Sequence, residues 1–564
     1  MDRPYAITLD VGSSLANHTG SWRTQRPEYV RLTAPCGGAC PAGEDVQQWL
    51  YHAEEGGYEA AWRKIMQRNP FPAICGRVCY HPCETACNRA QLDDAVGINS
   101  IERFLGDQGI AGGWEVEPVL PPSGKRVLVV GAGPSGLSAA YHLALLGHAV
   151  TVRDMAPAAG GMMRYGIPKY RLPREVLDAE VQRIAGLGVE FELGHDVGDV
   201  LAEQLEGGFD AVFLAVGARL PQRAYVPAGS AARVLDALAL LRDVEDGSAG
   251  PPLLGRRVAV YGGGNTAMDA ARTARRLGAE EAVIVYRRTR DRMPAHESEL
   301  QEALQEGIQV RWLTTIKYAD AGALTIERMV LDEHGYPQGT GEYEQLDADA
   351  LVLATGQVSD LSLLEGVSGI EAEDNVVKVD ANLMTGHPGV FAGGDMVPAE
   401  RTVTVAIGHG RRAAHGIDRW LRGVEAAEPR ELHDSASFTG VGPQPSLAEV
   451  SFERLNSWYY SDAPRSVRDR LDAVRRSSTF DEVVLGLDES NALFEARRCM
   501  SCGNCLACDN CYGVCPDNAV IKLDPGPGGT MSYAYAFDLD FCKGCGLCAQ
   551  ECPCGAIEMQ PEPI

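Results

Sequence analysis

From residue 126 onward the chain alternates between short apolar, β-branched runs and segments with helical apolar spacing. RVLVV at 126–130 enters a glycine turn, and SGLSAAYHLALLG then repeats its apolar residues at helical intervals. After another run, AVTVRD, the pattern recurs as RRVAVYGGGNTAMDAARTARRLG, followed by the strand AVIVY. DAVFLAVGA at 210–218 and DALVLATGQ at 349–357 read as the closing strands of two lobes. Strands alternating with helices in this way predict two parallel, doubly wound sheets.

The turns carry the first chemistry. Gly131, Gly133 and Gly136 fit GxGxxG: the first allows a tight turn, the second lets backbone approach a pyrophosphate, and the third lets helix pack on strand. The helix N-terminus behind them offers free N–H groups to an anion. Asp154 ends the next strand, where an acid can bind ribose hydroxyls. In the second lobe Gly262, Gly264 and Ala267 form the GxGxxA variant, and the following strand ends in Arg287 and Arg288 in place of an acid. Two guanidiniums there suit a 2′-phosphate, which predicts NADP(H) over NAD(H), with Arg292 near enough in sequence to join them. Their bland reading is a solvated strand end.

Composition narrows the class. The 564 residues exceed one packed core, and 45% hydrophobic with 23% charged residues is an ordinary globular balance. A net charge of −26 repels nucleic acid and anionic lipid and favours basic protein faces. MDRPYAITLD does not read as a secretory signal, and no apolar run reaches the length of a membrane span. The expectation is a cytoplasmic protein.

Cysteine is segregated. Of 17, six lie between Cys36 and Cys87 and eleven between Cys499 and Cys554, with none in the 411 residues from 88 to 498. In a reducing compartment such clustering indicates metal or redox centres in preference to disulfides. At the C-terminus, Cys505-x2-Cys508-x2-Cys511-x3-Cys515-Pro and Cys542-x2-Cys545-x2-Cys548-x3-Cys552-Pro are two copies of the bacterial ferredoxin run. Because the fourth cysteine of each run crosses over, Cys505, Cys508, Cys511 and Cys552 should hold one [4Fe–4S] cluster and Cys515, Cys542, Cys545 and Cys548 another. Cys499, Cys502 and Cys554 are left over, and a shifted set using Cys502 for Cys505 stays open. This end carries a net −6 from Cys499 onward, which suits a basic partner face.

Near the N-terminus the spacings Cys36-x3-Cys40-Pro and Cys79-x3-Cys83-x3-Cys87 fit an iron–sulfur site better than a zinc ribbon. Cys75 reads as a small buried hydrophobe. No Ser/His/Asp or Cys/His nucleophile arrangement stands out.

After the second lobe, HPGVFAGGD leads to Gly394 and Asp395, and the chain here resembles the large flavoprotein class with tandem FAD and NAD(P) domains. That resemblance implies that Asp395 binds the FAD ribityl chain, that the NADP lobe is inserted into the FAD lobe, and that Gly160 and Gly161 belong to the region covering the flavin. GGMMRYGIPKYRLP, VYRRTRDRMPAHE and the N-terminal cysteines together resemble the glutamate synthase small subunit and its relatives, among them the N-terminal half of dihydropyrimidine dehydrogenase and the NADPH-binding subunit of bifurcating transhydrogenases. The likeness covers about residues 30 to 425. It implies Cys40, Cys79 and Cys83 as cluster ligands, with Glu102, Cys36 and Cys87 competing for the fourth place and a helix-surface carboxylate as the plain reading of Glu102. Those relatives carry an additional CxxC pair that this chain lacks before Pro35, so one N-terminal cluster is expected.

The expected fold is multidomain α/β: a helical N-terminal iron–sulfur domain at 1–120, a Rossmann-like FAD domain at 121–225 and 375–425, an inserted NADP domain at 226–374, a linker with a polar helix at 426–490, and a bacterial ferredoxin-like α+β domain at 491–564. FAD, NADP(H), one N-terminal and two C-terminal [4Fe–4S] clusters make an electron conduit. The C-terminal run resembles the δ-type subunit of 2-oxoacid:ferredoxin oxidoreductases, implying a thiamine diphosphate-dependent partner; soluble ferredoxin is the simpler partner. The glutamate synthase small subunit, or that of a bifurcating transhydrogenase, is the alternative. Zinc-bound scaffolding around a flavin-dependent regulator is a third reading.

Overall fold

The computed structural model describes residues 18–21, 23–30, 32–222, 225–230, 232–247, 253–424, 448–523 and 535–562. The Pro-, Gly- and Ser-rich part of the expected linker and the N-terminal decapeptide lie outside them.

Among the described residues, two five-stranded parallel sheets form the centre. In the first, Arg126–Val130 lies between Ala149–Asp154 and Ala211–Leu214, with Glu190–Leu193 at one edge. The other edge is Val390–Ala392, which pairs in parallel with Ala211–Leu214 although some 180 residues separate them. The intervening chain builds the second sheet from Val234–Asp236, Arg257–Tyr261, Glu281–Val285, Gln309–Arg311 and Ala350–Leu353, so one lobe is inserted in the other. Strands covered on both faces explain the apolar runs: Val127, Leu128 and Val129 have no exposed surface. An antiparallel three-stranded ribbon spans Thr314–Asp347.

The N-terminal region is helical. Val46–Glu54, Tyr58–Met66, Pro72–Val78 and Ile98–Ala111 pack around Trp49, Leu50, Trp62, Ile65 and Leu105. Helix Glu489–Ala496 joins this bundle by burying Ala492 and Ala496 among its side chains. In exchange, strand Gln25–Tyr29 leaves the bundle and pairs antiparallel with Ile557–Pro561, where Tyr29 stacks on Phe537 at 4.6 Å. The two ends of the chain are therefore built into one another. Of the expected polar helix, only Ala473–Ser478 is helical; the preceding arginines instead reach across domains, Arg468 donating to the Gly76 carbonyl at 2.9 Å and Arg465 to Glu84.

Candidate functional site

A cavity of ≈ 870 Å³ lies between the lobes, lined from the first by Gly131, Gly133, Asp154, Gly161, Gly394 and Asp395 and from the inserted lobe by Gly262, Gly264, Arg287 and Arg288. This volume lies within the range of cofactor-sized clefts. The two turns have matching geometry. A Cβ on Gly131 (φ +109°) would sit 2.4 Å from the Ala215 carbonyl oxygen, and one on Gly262 would sit 2.1 Å from that of Ala354. The second glycines face space: nothing lies nearer than 3.9 Å at Gly133, and nothing within 4 Å at Gly264. Gly136 and Ala267 are packing positions behind the cavity. Behind each turn a twelve-residue helix starts, and Ser135, Asn265 and Thr266 line the cavity at those N-termini. The Ser135 hydroxyl is buried there with no hydrogen-bond partner among the described residues, which fits a group supplied by a bound cofactor.

Asp154 braces the first turn: its carboxylate accepts from the backbone N–H of Ala132 at 2.6 Å and of Ala156 at 2.7 Å while lining the cavity. Arg287 and Arg288 line the cavity at the second turn, and among the described residues neither guanidinium has an ion-pair partner. Arg292 stands apart, exposed and 3.7 Å from Asp291, outside the cavity lining. Asp395 is held above the ordinary carboxylate range by burial, which Arg401 partly offsets. The Gly394 N–H donates to His409 Nδ1 at 3.1 Å, and burial pulls this imidazole down to about 4. His409 is thereby kept neutral and able to accept.

The segment expected to cover the flavin also locks the lobes together. Arg171 bonds Asp269 of the inserted lobe at 2.8 Å and also pairs with Glu299, all three being buried or nearly so. The Tyr170 ring lies under Arg276, whose guanidinium carbon is 3.7 Å from the ring centroid.

One cysteine set abuts the cavity. Val78 and Tyr80 line it, and Cys79 lies between them in sequence. Cys40, Cys79 and Cys83 are close enough for each thiol's charge to act on another, and Glu102 acts on Cys40 and Cys83. Glu102 is buried rather than on a helix surface, and it shares Asn69 with a second carboxylate, Glu44: the amide donates to Glu102 at 3.1 Å and to Glu44 at 2.8 Å. Burial raises both carboxyls, and each bears on the other. Cys75 is fully buried in helix Pro72–Val78 but borders Glu102 and Cys79. The ferredoxin cysteines fall into the crossed sets: Cys511 borders Cys505, Cys508 and Cys552, while Cys515, Cys542, Cys545 and Cys548 line one small pocket. Among the described residues no three His, Cys, Asp or Glu side chains are grouped as a site for a single metal ion.

Cys36 and Cys87 are grouped apart from Cys40 and Cys83 in the lining of the cavities. With Cys499 and Cys502 they line another pocket, so Cys502 stands away from the position of Cys505. Sequence reasoning missed this grouping, Glu44 and the Arg171–Asp269 pair. Glu44 and Arg171 carry no spacing signal, whereas Cys499-x2-Cys502 did: it is the spacing missing at the N-terminus.

Residues 125–410 match the family described as pyridine nucleotide-disulphide oxidoreductase, residues 29–114 the 4Fe-4S domain II of dihydropyrimidine dehydrogenase, and residues 535–558 a 4Fe-4S binding domain. The chain is 36% identical over 509 residues to the NADP(+)-dependent formate dehydrogenase subunit beta of Moorella thermoacetica, covering 84% of this chain and 71% of that protein. It is 32% identical over 519 residues to the NADPH-Fe(3+) oxidoreductase subunit beta of Geobacter sulfurreducens, covering 84% and 75%. To the glutamate synthase [NADPH] small chain of Escherichia coli it is 33% identical over 420 residues, covering 68% and 88%. Among the described residues no helix is long and apolar enough to cross a membrane. The chain belongs to the pyridine nucleotide-disulphide oxidoreductase family, in the glutamate synthase small subunit-like group, as an NADP(H) oxidoreductase with FAD and [4Fe–4S] clusters.

Proposed function

We propose that this chain is the electron-transfer subunit of a larger complex, moving electrons between NADP(H) in the inserted lobe and a partner docked at the ferredoxin module. One observation carries the reading: Tyr80 and Val78, the neighbours of Cys79, line the same cavity as both glycine turns. Nicotinamide exchanges two electrons as a hydride, clusters pass one at a time, and bound FAD supplies both modes. The chain's own part is placement. The open faces of Gly133 and Gly264 admit pyrophosphates to two helix N-termini. Asp154 presents a carboxylate to the first ribose, and Arg287 and Arg288 present charge to a 2′-phosphate. Asp395 and the Ser135 hydroxyl face the space a flavin nucleotide would fill. Arg171, bound to Asp269, fixes the lobes so that both sites open on one cavity. Cys40, Cys79, Cys83 and Glu102 form the donor set nearest to it.

For the partner, the δ-like cysteine run supports a 2-oxoacid oxidoreductase. A second reading, glutamate synthase, is supported by the small-chain likeness, although that covers less of this chain than the formate dehydrogenase and Fe(3+) oxidoreductase likenesses do. The test is the complex that co-purifies with the intact chain, assayed for NADP+ reduction with a 2-oxoacid or with formate, and for NADPH oxidation with glutamine plus 2-oxoglutarate. Under the 2-oxoacid reading the first activity is present and is lost in Cys542→Ser/Cys545→Ser, while NADPH still bleaches the flavin. Activity only with another substrate overturns that partner. Substrate-linked turnover that survives the double variant overturns the route through the ferredoxin module.

A further inference from the structure

The pocket at Cys36 joins residues more than 400 positions apart. Cys36 sits in helix Pro35–Ala39 and Cys87 precedes the turn Asn88–Gln91, while Cys499 and Cys502 follow helix Glu489–Ala496. Their meeting is fixed by a buried network. Glu495 accepts from the Gly97 N–H at 2.6 Å, from the Ser466 N–H at 2.8 Å and from Arg498 at 2.5 Å. Arg498 also donates to the Asp94 carbonyl at 2.6 Å and to Asp93 at 3.1 Å. Arg89, two residues beyond Cys87, donates to the Arg498 carbonyl at 2.8 Å, and Gln47 holds the Ser501 hydroxyl at 2.8 Å. Burying two arginines and a glutamate at this seam is costly unless every charge is paired, and here each is. The network holds the chain on the N-terminal side of Cys499 against the chain on the C-terminal side of Cys87.

The thiols are dressed as ligands. Cys499 accepts from the Ser501 N–H at 3.4 Å and Cys502 from the Asn88 amide at 3.6 Å, the kind of N–H···S contact that tunes a cluster. Cys36 is buried and Cys87, Cys499 and Cys502 are half-buried, and all four line this one pocket. The pocket lined by Cys515, Cys542, Cys545 and Cys548, where the ferredoxin run places a cluster, provides an internal standard, and its volume equals that at Cys36, ≈ 20 Å³ in both.

We infer that Cys36, Cys87, Cys499 and Cys502 hold an additional [4Fe–4S] cluster, its CxxC half supplied from the C-terminal end of the chain. The inference rests on the iron–sulfur reading of the N-terminal cysteines and revises its count: Cys36 and Cys87 do not compete with Glu102 but belong to a second site. It also gives the conduit its missing stage. Cys36 lies in helix Pro35–Ala39 and Cys40 directly after it, while Cys83 lies in helix Pro82–Thr85 and Cys87 two residues beyond its end, so this site adjoins the set nearest the flavin cavity. On its other side, the Gly503 N–H just after Cys502 donates to the Cys554 carbonyl at 2.7 Å, and Tyr460, whose hydroxyl donates to the Met500 carbonyl at 2.9 Å, borders Cys499, Cys502 and Cys508.

Iron and acid-labile sulfide on anaerobically prepared intact protein test the count without any variant. About sixteen iron per chain is expected against about twelve for three clusters. Cys499→Ser/Cys502→Ser should lose about four, Cys36→Ser/Cys87→Ser the same four, and all four substitutions together no more than four, with FAD content unchanged. Mössbauer spectra should lose one cubane component in each variant. Twelve iron in the wild type, zinc in place of four iron, or losses that add to about eight would overturn the assignment.

Discussion

The two glycine turns share a backbone and part company at the next strand end. Each forces its first glycine against the closing strand and opens its second to the cavity. The first lobe then presents Asp154, spent partly on bracing its own turn, whereas the second presents Arg287 and Arg288, to which no acid is paired among the described residues. The turn thus recognises what all dinucleotides share, and the strand end recognises what distinguishes them.

Breaking the shared part should cost most. Gly131→Ala adds a Cβ 2.4 Å from a carbonyl oxygen at φ +109°, and about 2–3 kcal/mol of strain and overpacking should strip FAD from the purified protein, read as the flavin-to-protein ratio. Breaking the distinguishing part should be selective. With Arg287→Ala/Arg288→Ala, loss of charge-assisted bonds worth about 1.5–3 kcal/mol should weaken NADPH at least tenfold and leave NADH nearly unchanged, by titration of flavin reduction. Equal effects on both nucleotides would show that the arginines face solvent only. Asp154→Asn keeps the size but loses the charge, and FAD affinity should fall by about tenfold or less.

The smallest effect is one of pH. His409 titrates near 4 in the folded chain against an ordinary 6.5, so on acidification the unfolded chain takes up its proton first. Stability from this group is present above about 6.5 and drains away as pH falls towards 4, by about 1–2 kcal/mol once partial solvation is allowed for. His409→Gln, which still accepts the Gly394 N–H, should flatten that part of the urea-midpoint profile. A steeper profile would contradict the neutral role.

What could be read from the sequence follows the same division between local and distant. Gly131, Gly133 and Asp154 fall within about two dozen residues, and short-range spacing is enough to place them on a strand, a turn and the next strand. The crossed ferredoxin sets were legible because the run itself encodes the crossing. That Cys36 and Cys87 share a pocket with Cys499 and Cys502 was not legible, because the meeting is set by Glu495, Arg498 and Arg89 pairing across some 400 residues of sequence, which no local period records. Strand Gln25–Tyr29 falls by sequence order within the expected helical domain, and only its distant partner, Ile557–Pro561, takes it out. Arg292 is near enough in sequence to join Arg287 and Arg288, but after the turn at Arg290–Arg292 it lies outside the cavity lining.

Under the proposed function, flavin and clusters form one electrically connected path to NADP(H). The intact protein, fully reduced with dithionite and freed of excess reductant, is mixed anaerobically with surplus NADP+. Two electrons from FAD and one from each cluster should yield about two to three NADPH per chain, about three with the additional cluster inferred above, as the broad iron–sulfur absorption returns. A yield of no more than about one NADPH, with the clusters still bleached, would mean that the flavin stands alone and that no such path exists.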